Sequence, residues 1–203
     1  LNSRVSGLNQ AVRNVNDGLS MVQIMEGTYD EVTSILQRMR DMAVQAANGS
    51  LSSTEQGYLE TEQTALQSAL TDALEQATFG STALITAEDT SGTSLSTSIT
   101  IQTGANTGDR VSLTISSASG SNITALGITA IDLDSAATAA IGLADAAIGI
   151  VASQRAQLGA YQSQLESTVR NLSNVAENTA AAAGRIMDTD YAAETANLTK
   201  AQI

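Results

Sequence analysis

The side chains that could do chemistry in this sequence are carboxylates, arginines and hydroxyls, because the 203 residues include no His and no Cys. Without Cys there is no disulfide framework, thiolate metal site or thiol nucleophile. Without His the usual general base, the common zinc ligand and every Ser-His-Asp arrangement are gone. Two carboxylate pairs, Asp132 with Asp134 and Asp188 with Asp190, have the D-x-D spacing of some metal sites. Neither is followed by the glycine and distant Glu of a calcium loop, which favours helix capping or subunit salt bridges. Glu60 and Glu62, two apart, fall on different faces of a helix and make no glycosidase pair. Gly104 to Gly108 lacks the Lys-Ser/Thr of a phosphate loop. Four N-x-Ser/Thr sequons, at Asn48, Asn122, Asn171 and Asn197, are what a Ser/Thr-rich chain yields by chance. No catalytic, cofactor-binding or metal-binding residue is expected, and no cofactor.

Nine Lys+Arg against 21 Asp+Glu leave a net charge of −12. Nucleic-acid binding needs a basic face that releases counterions, and an anionic membrane surface would repel such a chain. No run approaches the roughly 18 consecutive apolar residues of a membrane span, and Arg4 is followed by no apolar leader segment. Neither nucleic acid nor membrane insertion is expected. The 42% hydrophobic content is rich in Ala, and aromatics amount to one Phe and four Tyr. Globular cores lean on aromatics to fill space, so helix seams lined by Ala, Leu, Val and Ile, a rod rather than a ball, are expected.

Apolar positions step by three and four through Val5, Leu8, Val12, Val15, Leu19, Val22, Met25, Tyr29, Val32, Leu36, Met39, Ala43 and Ala46. The step from Val22 to Met25 is a stammer in that alternation. This is far longer than the about 11 to 12 residues of an ordinary helix and points to a coiled coil or extended bundle. Gly7, Gly18 and Gly27 within it each cost about 1 kcal/mol relative to Ala, which suits close approach of another backbone or is simply tolerated. Asn48-Gly49-Ser50 should end the helix through a left-handed cap. Thr54 is expected to N-cap a second helix, with Glu55 at its positive end and a stripe through Leu59, Leu66, Leu70, Ala73 and Ala77. The two should fold back on each other.

From Phe79 to about Ala130 the composition turns to Ser, Thr and Gly. Ile99 and Ile101 alternate before Gly104 to Asp109, and Val111, Leu113 and Ile115 after it, the pattern of a β-hairpin. Thr86 to Thr97 and Ser116 to Ser121 read as surface loops. Three-four stepping returns through Ala140, Leu143, Ala147, Val151, Gln154, Leu158, Tyr161, Leu165, Thr168, Leu172, Val175, Thr179, Ala182 and Ile186. The expected fold is mainly α: an elongated antiparallel bundle of two long helices and one shorter helix, with a small β-hairpin region at one end. Its parts are residues 1–79, with helices at about 1–47 and 54–77, a short hairpin and loop insert at 80–130, and a long C-terminal helix at 131–203.

Specific strings go further. Asn14-Val15-Asn16-Asp17-Gly18-Leu19-Ser20, Glu26-Gly27 and Leu36-Gln37-Arg38-Met39-Arg40-Asp41-Met42-Ala43-Val44-Gln45-Ala46-Ala47-Asn48-Gly49 resemble the amino-terminal signature of bacterial flagellins. Arg185 through Ile203 resembles the closing motif of that family, Gln76-Ala77-Thr78-Phe79 its turn into the β region, and Gln102 through Gly108 a hairpin motif of small flagellins. The resemblance implies the conserved helical rod of a filament subunit that self-assembles into a helical tube for motility. It also implies that the family's terminal segments lie beyond both ends of this sequence, so this looks like a trimmed form that should stay monomeric or weakly associated. The short insert suggests a flagellin with no large variable domain.

Implied partners are other flagellin subunits, a flagellar export chaperone, the filament cap and the flagellin-sensing Toll-like receptor of animals. The implied location is extracellular, on a flagellum or cell surface, reached without a cleaved N-terminal signal peptide. Matched position by position, the receptor and subunit contact surface comprises Leu36, Gln37, Arg38, Arg40, Asp41, Met42, Gln45 and Glu62. Met42 departs from the Leu usual there. The arginines could equally serve filament contacts alone or pair with acids four residues away. An alternative function is a cell-surface module that binds a polysaccharide or host receptor; this acidic chain is poorly suited to an acidic polysaccharide unless Arg38, Arg40, Arg155 or Arg170 cluster.

Overall fold

A computed structural model describes residues 2–85, 96–116 and 137–203. Asn122, Asp132, Asp134 and most of the expected surface loops lie outside the described residues, as do the side chains of Asp188 and Asp190. In chain order the elements are α1 (Asn2–Ala46), α2 (Ser53–Glu75), β1 (Thr78–Phe79), β2 (Thr82–Ala83), β3 (Ser96–Gln102), β4 (Arg110–Ser116) and α3 (Ala137–Gln202). They fall into two compact units. One comprises Leu1–Leu19, Thr100–Ser112 and Ser163–Ile203, the other Ser20–Ile99 and Leu113–Gln162.

In the second unit α1 serves two neighbours at once. Its buried positions include Val22, Met25, Tyr29, Val32, Leu36, Met39, Ala43 and Ala46, the row expected from the stepping, and also Ile35 and Met42, which widen that row. The widening follows from cross-helix contacts to both sides: Arg38 reaches Glu62 on α2, while Arg40 reaches Asp145 and Asp30 meets Arg155 on α3. Because the α3 partner falls from 155 to 145 as the α1 residue rises from 30 to 40, α1 and α3 run antiparallel here. Also buried in this unit are Leu59, Leu70 and Leu74 of α2 and the small residues Ala140, Ala144 and Ala147 of α3, whose short side chains allow close helix approach. On α2 the inward position expected for Leu66 belongs instead to Gln63, 3% exposed, while Leu66 and Ala73 are half-buried.

The turn into α2 corrects two expectations. Among the described residues only Gly80 has a positive φ, so Asn48 and Gly49 form no left-handed cap. Instead Ala47 N–H bonds to the Ala43 carbonyl at 2.9 Å and Asn48 N–H to that of Gln45 at 3.1 Å. The N-cap is Ser52, not Thr54: its hydroxyl accepts from Glu55 N–H while the Glu55 carboxylate accepts from Ser52 N–H at 2.8 Å. Ser-x-x-Glu is the capping-box spacing, in which two orphan donors are satisfied at once, and Thr54 falls inside the first turn. The Ser52 hydroxyl and then its backbone N–H hold the Glu55 carboxyl below its ordinary range.

β1 and β2 form a small antiparallel hairpin across the expected boundary between residues 1–79 and the insert at 80–130, with Thr78 opposite Ala83 and Phe79 opposite Thr82. Gly80, at φ +63, supplies the left-handed first residue of a tight two-residue turn. Longer strands β3 and β4 pair with each other, closed by Thr103 N–H to the Asp109 carbonyl at 2.8 Å. Their ends at Ser96 and Ser116 take in residues expected as loop. Tyr161 of α3 fixes β4, its hydroxyl accepting from Thr114 N–H and donating to the Thr114 carbonyl, each at 3.1 Å.

The first unit packs by a mixture of branched and small residues. Leu8, Ala11 and Val15 of α1, Ile101 of β3, and Leu165, Leu172, Ala176 and Ala183 of α3 are buried. On α3 the expected row fails after Leu172: Val175 is 37% and Ile186 61% exposed, and Ala176 and Ala183 turn inward. A 3.6-residue helix drifts about 20° per heptad against a strict seven-residue repeat, and an extra step of four restores the facing side. The hairpin loop lies beside the start of α1, where a Cβ on Gly7 would sit 3.2 Å from Ala105 Cβ and one on Gly18 would overlap Ile101. Close approach thus accounts for Gly7 and Gly18, whereas Gly27 has open space around it.

Among the described residues one helix segment, Ala137–Met187 of α3, is long and apolar enough to cross a membrane, although no run of consecutive apolar residues signals it. Its mean hydropathy of 1.4 averages over an Ala- and Ile-rich stretch. Asp145 within that stretch is ion-paired to Arg40, and Ala140, Ala144, Ala147 and Val151 form its packed side.

Candidate functional site

The eight residues expected as a contact surface do not share one exposure. Leu36 is 0% and Met42 1% exposed, both on the inward rows of α1, so these two are core residues and unreachable from outside. Gln37, Arg38, Asp41 and Gln45 are exposed and Arg40 and Glu62 partly so. The remaining strip is a polar ridge on α1 joined to α2 through one ion pair.

That ridge is fastened by charge. Arg38 Nε donates to Glu62 Oε1 at 2.9 Å, with a second bond from Nη2 to the same oxygen. Arg40 Nε donates to Asp145 Oδ1 at 2.6 Å, and this hydrogen bond, then the charge of Asp145, raises the Arg40 pKa above its ordinary value. Arg155 Nη1 lies 3.0 Å from Asp30 Oδ1. Arg170 sits 4.0 Å from Glu166, four residues earlier on α3. Arg38 and Arg40 therefore pair between helices, not with acids four residues away.

Each of the four cations proposed for a basic patch stands beside a carboxylate, which leaves little positive field for an acidic polysaccharide. The motif on α1 leaves out Asp30 and Asp145, and Arg155 is expected only as part of a basic cluster rather than as the partner of Asp30. A signal is present in the spacing: Asp30 and Arg40 are ten apart, Asp145 and Arg155 are ten apart, and both helices run acid before base, the order that brings opposite charges together when the two lie antiparallel.

Among the described residues no three acidic side chains gather as metal ligands would. An open groove between α1 and the hairpin loop is lined by Arg4, Gln10, Asn14, Gln102 and Asn106. Asn14 donates to the Gln102 carbonyl at 3.3 Å, and Gln102, Asn106 and Asp109 bond one another, so these amides brace the loop. Among the described residues this groove and the ridge offer surfaces for packing, built from amides, ion pairs and small side chains.

Comparison with known proteins agrees with that chemistry. Residues 1–90 match the bacterial flagellin N-terminal helical region and residues 141–203 the bacterial flagellin C-terminal helical region. Over its whole length the chain is 37% identical to a flagellin of Halalkalibacterium halodurans, of which it covers 72%. The chain belongs to the bacterial flagellin family. It is also 35% identical to the flagellar filament 33 kDa core protein of Treponema phagedenis, covering all of this chain and 74% of that one. Among solved structures, Bacillus cereus flagellin superposes with a TM-score of 0.66 at 26% identity, over 84% of this chain and 94% of the other. The mainly helical fold with small antiparallel strand pairs is thus a flagellin fold. Flagellins are structural proteins, and self-association into filaments is what the family does.

Proposed function

We propose that this chain is a structural subunit of a bacterial flagellar filament, which assembles by repeated contacts between copies. The observation that carries the proposal is the match of both halves, residues 1–90 and 141–203, to flagellin helical regions on a flagellin fold. Head-to-tail contacts between unlike patches that do not close into a ring generate open helical filaments, and a tube built that way serves motility. The subunit acts outside the cell as an exported component, with an export chaperone and a filament cap as its partners on the way. It catalyses nothing: its polar side chains are spent on caps, loop bracing and cross-helix pairs.

The polar ridge of Gln37, Arg38, Arg40, Asp41, Gln45 and Glu62 is our candidate surface for contact with neighbouring subunits and with an animal flagellin-sensing Toll-like receptor. Its partial exposure and its hydrogen-bonded ion pairs suit a contact that is read by shape and hydrogen bonds. The test is to shear surface filaments from cells that make the full-length protein and identify their subunits by peptide mass. Peptides of this chain in the filament fraction are expected. Their presence only on the cell wall or in the cytoplasm would overturn the assignment.

A further inference from the structure

The sequence holds a single Asn-Gly step, Asn48-Gly49, and the fold places it in the exposed turn between α1 and α2. We infer that Asn48 is a site of spontaneous covalent modification, deamidation through a cyclic imide, and that it reacts ahead of the other described asparagines. The reaction needs a free carboxamide, a following backbone nitrogen able to reach its Cγ, and no side chain on that following residue. Position 49 meets the last need, and an added Cβ there would meet nothing within 4 Å, so the space around the nitrogen is open. The bonds of this turn run from Asn48 N–H to the Gln45 carbonyl and from Leu51 N–H to the Asn48 carbonyl, at 3.1 and 3.3 Å. Neither engages the Gly49 nitrogen or the Asn48 carboxamide.

Other asparagines are held differently. Asn106 is also exposed, but it precedes Thr107, and its Nδ2 donates to Asp109 Oδ2 at 3.0 Å while its N–H donates to the same oxygen at 3.1 Å. Asn9, Asn14, Asn16, Asn171, Asn174, Asn178 and Asn197 lie within α1 or α3, where the next nitrogen is tied into the helical ladder and turned away from Cγ; Asn2, at the first turn of α1 where the next N–H has no ladder partner, precedes Ser3, whose side chain crowds the attacking nitrogen. In the reaction the Gly49 nitrogen bonds to Asn48 Cγ, the Cγ–Nδ2 bond breaks, and ammonia leaves with the proton that nitrogen gave up. Water then opens the imide at one carbonyl or the other, leaving aspartate or isoaspartate at position 48. Both products put a negative charge at the C-terminus of α1, whose last turn carries no basic residue to offset it. Isoaspartate also lengthens the main chain just ahead of the Ser52 cap.

Incubation of the whole chain at mildly acidic and mildly alkaline pH, followed by peptide mass mapping and isoaspartate detection, tests this. Conversion is expected at Asn48 first, faster at the higher pH because the attacking nitrogen must shed its proton. Gly49→Ala, confirmed folded by circular dichroism, is expected to slow it by at least about tenfold, or ~1.4 kcal/mol on the barrier. Conversion of Asn106 or a helical asparagine ahead of Asn48, or an unchanged rate in Gly49→Ala, would overturn the inference.

Discussion

The two units differ in emphasis, although both bury leucines and alanines. In the unit of Ser20–Ile99 and Leu113–Gln162, large side chains such as Met25, Leu36, Met39, Met42, Leu70 and Leu158 are fully buried, and three ion pairs join helices around them. In the unit of Leu1–Leu19, Thr100–Ser112 and Ser163–Ile203, Gly7, Gly18, Ala11, Ala176 and Ala183 let chains approach, and amides brace the loop. Removing atoms should therefore hurt the first of these regions most, and adding atoms the second. A filament subunit with so few aromatics can be firm in both ways without a wide core.

The largest effect expected is from Leu36→Ala, which leaves a cavity among α1 and its neighbours and costs about 2–5 kcal/mol by denaturant titration. A cost below about 1 kcal/mol would mean that the large side chains do not dominate there. Next comes Tyr29, whose hydroxyl burial pushes its pKa from 10.0 up to about 12. The neutral phenol is favoured in the folded state, so this stability is intact below about pH 10 and is lost as pH rises toward 12. The loss should be on the order of 2–3 kcal/mol and should vanish in Tyr29→Phe. In the other unit Gly18→Leu is expected to cost about 1–3 kcal/mol, as Ile101 is forced aside. Gly27→Ala, with open space around it, should instead gain about 1 kcal/mol from helix propensity. Equal effects at the two glycines would erase the contrast. Smallest is Arg40→Ala: the pair with Asp145 is exposed, and only a slight fall in melting temperature, shrinking as salt is added, is expected.

Much of this was legible because helical stepping repeats over many turns, so single errors did not displace α1 or the early part of α3. What escaped had local or three-dimensional causes. Two plausible caps, Ser52 and Thr54, compete within three residues, and only the reciprocal Glu55 bond separates them. A count of apolar residues passes over Gln63, which packs inward as an amide. Strands of two residues, Thr78–Phe79 and Thr82–Ala83, are too short to alternate, leaving Gly80 as their one signal. For the contact surface, matching a string along α1 ignored that Leu36 and Met42 face inward while Gln37 and Asp41 face out. Helical position decides which residues of a contiguous motif a partner can touch.

The most direct test of a filament subunit is seeded polymerisation of the full-length protein, followed by sedimentation and electron microscopy across a range of salt. Growth of helical filaments from the seeds is expected. Folded protein that stays in the supernatant, with seeds of unchanged length at every salt concentration, would contradict it.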